Sequence, residues 1–369
     1  MNARLDTAKT PGNDTPVSLE RLRELPMREV RRVIDRRCFE RSMLKGLGSY
    51  AFDLVLYAAF IAGALNFASP WLKLACGLLA GCAVAFMFVW AHDAAHGALF
   101  QSRKVAEVLG TLFMLPSMNM YRLWAFGHNR VHHGFTSYSP IDWIWRPWTP
   151  EEYAAKPRWR RLLYRMERTP YGCALHYLIH VWWQGMVRFK PEGGTAEQRR
   201  VRMNKMLTLS FFLAYSGLAY WLGGGWVAVV AAVIVPFVVF NYFIAFFVFL
   251  HHTHPDLPFF TERAKWSQSI AQLFCSTVIR CSPVSEFLIH NILIHAPHHI
   301  SPGIPFYHLK RAYQDVRRHY GEYVHEYRFR WSHVRHIFKR CKLYDYANHT
   351  WLTYRDAASR MRLGATAAA

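Results

Sequence analysis

Cysteine is scarce and unpaired in this 369-residue chain. Its seven cysteines, Cys38, Cys76, Cys82, Cys173, Cys275, Cys281 and Cys341, form no Cys-x-x-Cys pair. This scattered, odd set reads as free thiols in a reducing compartment, and it leaves no cysteine cluster for iron–sulfur. Acidic residues are few as well: 24 Asp and Glu stand against 45 Lys and Arg, a net charge of +21. Residues 1–47 are polar and basic with no apolar core, so no cleavable signal peptide is expected. No internal repeat of about 20–50 residues runs through the chain, which excludes a solenoid or propeller.

What the chain has in quantity is apolar surface. It is 52% hydrophobic and carries 14 Trp and 26 Phe, high for a soluble protein of this length. Four apolar stretches, at about 48–68, 71–90, 206–222 and 226–250, approach the roughly 20 residues that span a bilayer. Asp53 and Lys73 lie near the starts of the first two, and Lys73 is expected to snorkel. The apolar stretch 171–189 contains His176, His180 and Trp182-Trp183, and reads as an interfacial helix rather than a fifth span. Residues 1–17 and the tail 364–369 are expected to be disordered or loose. Residues 18–45 read as a basic helical segment on the membrane surface.

The positive charges orient these spans. Lys and Arg number 11 before residue 48, 16 between 91 and 204, and 16 after 250. The connectors Ser69-Pro70 and Gly223-Gly224-Gly225 carry none. Basic segments stay cytoplasmic, so both termini and the central loop are predicted on that side. The expected fold is an all-α integral membrane protein: four transmembrane helices, as two hairpins, under a cytoplasmic helical cap. The predicted division is an N-terminal basic segment 1–46, a membrane domain 47–325 and a cytoplasmic tail 326–369. The charge fits attraction to anionic membrane lipids, and could also help dock an acidic redox partner or acyl carrier. Without a nucleic-acid motif beside it, it does not suggest nucleic-acid binding.

Three short segments concentrate histidine: His92-Asp-Ala-Ala-His96, His128-Asn-Arg-Val-His132-His133 and His295-Ala-Pro-His298-His299. Neutral imidazole is a good ligand for first-row transition metals, and eight exceed the four ligands of one tetrahedral zinc. They suit a two-metal centre. The i, i+4 spacings place pairs on one helical face, so each box is expected to offer two or three imidazoles to a common point. The second and fourth spans run directly into His92 and into His251-His252-Thr-His254, so all boxes can meet at one membrane face. No box holds the Glu-x-x-His pairs of soluble di-iron bundles. The nearby carboxylates Asp93, Asp142, Asp256 and Glu286 fit the role of holding imidazole N–H groups.

These boxes, in this order, resemble those of the membrane-bound fatty-acid desaturases, the acyl-lipid delta-12 (omega-6) type in particular. His252-Thr-His-Pro-x-Leu-Pro258, His290-Asn-Ile292 and Gly321-Glu-Tyr-Val324 strengthen the resemblance, which covers roughly residues 50–325. Ala94-Ala95 in box one, where that group often has Cys-Gly, and the longer spacing of box two depart from it without removing a ligand. The resemblance implies two iron ions on His92, His96, His128, His132, His133, His295, His298 and His299. It also implies a ninth ligand from the end of the fourth span, for which His252 is favoured over His254 and His290. Asp93, Asn129, Asp142, Asn241, His254, His290 and Asn291 are candidates for supporting roles around the metals.

The implied reaction is an oxygen-dependent desaturation that introduces a cis double bond into a fatty acyl chain. The acyl group could be carried by a lipid, coenzyme A or acyl carrier protein. No His-Pro-Gly-Gly motif of a fused cytochrome is present, so a separate ferredoxin or b-type cytochrome is the expected electron donor. A hydroxylase, ketolase or acetylenase on the same centre, acting on an acyl, alkane or carotenoid substrate, is the nearest alternative. A zinc protease built on His92 and His96 is a remote one, since Asp93 stands where the general-base Glu of His-Glu-x-x-His would be. A metal transporter would need polar residues deep in the spans.

Overall fold

Long apolar runs form long helices, and among the described residues four are long and apolar enough to cross a membrane, the fourth with Pro236 inside it. In this computed structural model, which describes residues 7–10, 13–192 and 194–367, they are Met43–Asn66, Pro70–Ala95, Thr195–Gly223 and Trp226–His252. Two outrun their apolar cores. The second continues past Trp90 to Ala95, so His92 sits on its last turn. The third begins at Thr195, because the polar stretch before residue 206 is rich in good helix formers such as Ala196, Glu197, Gln198, Arg199 and Arg200.

Small residues set how these helices meet. A Cβ on Gly77 would lie 2.2 Å from the Ala231 carbonyl oxygen, and one on Gly81 would lie 2.5 Å from Val239. The second and fourth helices therefore touch nearly backbone to backbone, the packing that glycine permits between apolar helices. Lys73 does not snorkel. It is 8% exposed and its Nζ donates to the Leu65 and Gly223 carbonyl oxygens at 2.7 and 2.8 Å. Those carbonyls lie at the C-terminal ends of the first and third helices, where helix acceptors lack partners and a cation is favoured. One lysine thus gathers three helix ends; His92 and His252 lie at the far ends of the second and fourth.

The cap around those histidines is not wholly helical. Three two-stranded sheets interrupt it: Thr7–Thr10 with Asn13–Ser18, Thr277–Arg280 with His325–Arg328, and Leu343–Asp345 with Thr350–Leu352. The middle pair is parallel and rich in β-branched residues on its first strand. Ile279 N–H also donates to the Leu293 carbonyl at 2.8 Å, anchoring the approach to box three. The first pair replaces much of the disorder expected over 1–17; residues 1–6, 11 and 12 of that expectation lie outside the described residues. The C-terminal helix runs Tyr354–Ala367, its Ala-rich end favouring helix where a loose tail was expected; residues 368 and 369 lie outside the described residues.

The basic segment after residue 18 buries its apolar side in protein. Leu22, Val30 and Cys38 are fully buried, in the core that also holds Trp90, Ala296 and Ile300. Arg31 Nε donates to the Ile300 carbonyl at 2.9 Å, so this segment straps box three. A second core joins Phe88, Trp124, Phe240 and Phe249, and Phe338 of the helix Trp331–Arg340 stacks on Phe249 at 4.2 Å. The stretch 171–189 is helical from Ala174 to Val187, its larger part wound as a π-helix.

Candidate metal centre

Nine histidines from four segments converge in two groups. His92, His96, His128 and His298 form one; His132, His252, His295 and His299 form the other. In each group the ligand atoms lie within 4.8 Å of one another. His133 Nε2 is 3.1 Å from the Nε2 atoms of both His128 and His298, so it adjoins the first group.

Local backbone decides this sorting. His92 lies on the last turn of the second helix, and His96 caps that helix before Gly97 turns away at φ +69°. Box two lies on a π-turn, Gly127–His132, rather than on the expected α-helix. A π-turn repeats at i, i+5, which brings His128 and His133 to the first group and sends His132 to the second. The expected single target per box therefore fails for box two. It fails for box three as well, where His295 and His299 share a face of the helix His295–Ile300 and His298 turns to the first group.

Hydrogen bonds at Nδ1 fix several rings. Asp93 accepts from His92 at 2.8 Å and Asp142 from His132 at 3.2 Å. The Cys275 carbonyl accepts from His252 at 3.0 Å, and Gln272 Oε1 from His299 at 2.7 Å. A carboxylate or carbonyl can only accept, so each of these Nδ1 atoms carries the proton and the Nε2 lone pair is free. His132 Nε2 and His252 Nε2 then face each other at 3.1 Å with no proton between them. Two opposed lone pairs repel; a shared cation removes the conflict. His96 Nε2 is buried with no hydrogen-bond partner at all.

The cluster is also held neutral. Burial pushes His96, His128, His133, His295, His298 and His299 well below the ordinary histidine range, and neighbouring imidazoles push further. Neutral imidazole is the ligand form. By donor chemistry and by orphaned lone pairs, these residues fit transition metals.

The remaining candidates separate into holders and bystanders. Asp93 also accepts the Phe306 N–H at 2.7 Å, which ties box one to the loop after box three. Asn129 donates to the Ala95 carbonyl at 2.9 Å, joining boxes one and two. Asn241 bonds only within its own helix, to the Phe237 carbonyl. His290 bonds Asp53 of the first helix at 2.6 Å, and Asn291 donates to the Phe306 carbonyl at 3.4 Å. Both have left-handed backbone, φ +51° and +56°, a strained turn that delivers the chain into box three. His254 faces away, toward Asp256 and His325. Gln272 escaped the sequence reading. It grips His299 and, through Nε2, the His133 carbonyl at 2.6 Å, and no motif marks it.

A cavity of about 400 Å³ opens onto the centre. His92, His128, His132, His251 and His295 line one end, and apolar residues such as Phe86, Val181, Ile244 and Val248 line the rest. A second cavity, about 500 Å³, shares Leu123, Gly127, Trp143 and Gly185 with it and is more polar, lined by Arg146, Glu167, His176 and His180.

The profile of the fatty acid desaturase family matches residues 68–331. The sn-1 oleoyl-lipid 12-desaturase of Picosynechococcus sp. is 32% identical over 93% of this chain and 96% of its own length. The corresponding enzyme of Anabaena variabilis is 29% identical over 87% and 91%. The chloroplastic omega-6 fatty acid desaturase of Brassica napus is 30% identical over 91% of this chain and 73% of its own length. The matched span takes in all nine converging histidines, and this chain belongs to the fatty acid desaturase family.

Proposed function

We propose that the chain is an oxygen-dependent acyl-lipid desaturase that forms a cis double bond beyond an existing one, as its relatives' names suggest for an oleoyl chain. The observation that carries this is the pair of four-histidine groups opening on one apolar cavity. His92, His96, His128 and His298 would hold one iron and His132, His252, His295 and His299 the other, with His133 beside the first. Bound iron would supply the oxygen-activating, hydrogen-abstracting power that an unactivated methylene demands and no side chain provides.

The chain's own task is placement. Val181, Ile244, Val248 and their neighbours would hold the acyl chain in an apolar, water-poor slot with one pair of carbons against the histidines. Asp93, Asp142, Gln272 and the Cys275 carbonyl keep the Nδ1 atoms of His92, His132, His299 and His252 protonated and their Nε2 atoms aimed inward. The polar second cavity suits the ester and headgroup end of a lipid.

Topology follows from the gathered helix ends. The grip of Lys73 on the Leu65 and Gly223 carbonyls supports two hairpins whose turns share one face. The histidines and most basic residues then share the opposite, cytoplasmic face. A separate ferredoxin or b-type cytochrome would bring electrons to that basic surface.

The test is expression in a host fed oleate, with double bonds located by mass spectrometry and metal content measured. A new double bond at position 12, with iron in the protein, is the expected result. An added oxygen without a new double bond, or zinc with no iron, overturns the reading.

A further inference from the structure

A separate group of ligand-type side chains lies behind His252. The nearest ligand atoms of His254, Asp256 and His325 lie within 4.8 Å of one another. His325 is 0% exposed, and neither of its ring nitrogens has a hydrogen-bond partner. His254 Nε2 is likewise buried without a partner, while its Nδ1 accepts the Asp256 N–H at 3.3 Å and lies 3.3 Å from Asp256 Oδ2. The His333 ring stacks 5.4 Å from that of His254, its Nε2 also unpartnered. A buried imidazole nitrogen without a protein partner is unfavourable, and His254 and His325 bring such nitrogens to one group. We propose that His254, Asp256 and His325 bind a zinc ion, and that His333, which stands outside this group, swings in as the fourth ligand.

The donor set selects the metal. Imidazoles with one carboxylate suit zinc, whereas calcium and magnesium take oxygen shells. Zinc bonds of about 2.0–2.2 Å would draw the ligand atoms to roughly 3.4 Å apart. Asp256, with its side chain 38% exposed, has room to close that gap. Glu322, three residues before His325, is exposed and stands outside the group.

Position gives the ion a task. His254 follows the fourth helix, two residues after His252. His325 opens the strand that pairs in parallel with Thr277–Arg280, and Thr277 lies two residues past Cys275, whose carbonyl holds His252. The zinc would hold together the two chain segments that flank His252, remote from the acyl slot.

The experiment is elemental analysis of the purified full chain after growth with zinc and iron, for wild type, Asp256→Asn and His325→Gln. Wild type is expected to hold about one zinc per chain, with an all-nitrogen-and-oxygen shell at the zinc absorption edge. Asp256→Asn, at a partly exposed position, should cut that zinc about ten-fold and leave iron at the wild-type level; His325→Gln should do the same. Wild type that stays nearly zinc-free even after zinc is added and excess removed overturns the site, as does undiminished zinc in Asp256→Asn. The difference between wild type and Asp256→Asn reads this site alone, whatever metal the nine-histidine centre holds.

Discussion

Glu167 takes both His176 and His180, at 3.4 and 3.0 Å, whereas His132 and His252 turn their Nε2 atoms on each other. Both clusters are buried, both are imidazole-rich, and their cavities adjoin. Only one is closed by protein atoms alone. In the Glu167 cluster His176 Nε2 accepts the Trp145 N–H at 3.4 Å and His180 Nδ1 meets Gln184 at 3.1 Å, so every ring nitrogen has a partner. In the nine-histidine centre His92, His132, His252 and His299 spend their partners on Nδ1, and their inward Nε2 atoms meet only other imidazoles. Histidine count does not separate a metal centre from a structural cluster; where the second nitrogen points does.

The sharpest way to break this comparison is His298→Ala. It removes an inward nitrogen from the first group at a fully buried site. Metal loading and desaturation should both be lost while membrane insertion persists, read by metal analysis of detergent-purified protein. Full activity would refute the centre. Next in size is Asp142→Asn, which keeps the shape but lets the amide donate toward His132 Nδ1 and so favours the wrong tautomer. Second-sphere losses of this kind cost about 10- to 100-fold in metal affinity or activity. An unchanged metal affinity would mean that Asp142 does not set the His132 tautomer. Gln272→Leu should weaken the centre by a similar or smaller factor through His299, checked by metal titration of the purified variant beside wild type.

The sequence exposed the eight box histidines and the four spans because spacing and hydropathy are local properties. The split of box two between two groups was hidden, since nothing in Gly127–His132 distinguishes a π-turn from an α-turn before tertiary packing acts. Gln272 was invisible for a related reason. A lone glutamine has no spacing pattern, and its role arises only when the π-turn Ile270–Phe274 passes behind His133 and His299. Lys73 read as a snorkelling residue because the helix ends it caps are distant in sequence, at Leu65 and Gly223. His254 looked like a metal-centre neighbour by proximity to His252, but Thr253 is extended and reverses its side.

The smallest effect on the metal centre is expected from Glu167→Gln, which should leave metal content unchanged and lower stability instead. Burial pushes the Glu167 carboxyl up, but hydrogen bonds from His176 and His180 outweigh it and hold the group at about 2. His176, fully enclosed, is pushed down to about 4 by burial despite that carboxylate. His180 lies nearer the rim; burial lowers it, but the Glu167 hydrogen bond prevails and raises it. Glu167 ionises more readily folded than unfolded, so its contribution is present above the unfolded value near 4.5 and is lost as pH falls toward 2. That contribution is on the order of 3 kcal/mol. Thermal unfolding in detergent should show wild type well above Glu167→Gln at pH 7, with the gap closing between about pH 4.5 and 2. A gap that stays constant with pH would show that the loss comes from packing rather than from charge. Loss of metal in this variant would erase the distinction between the two clusters, because it would make the self-satisfied one part of the centre.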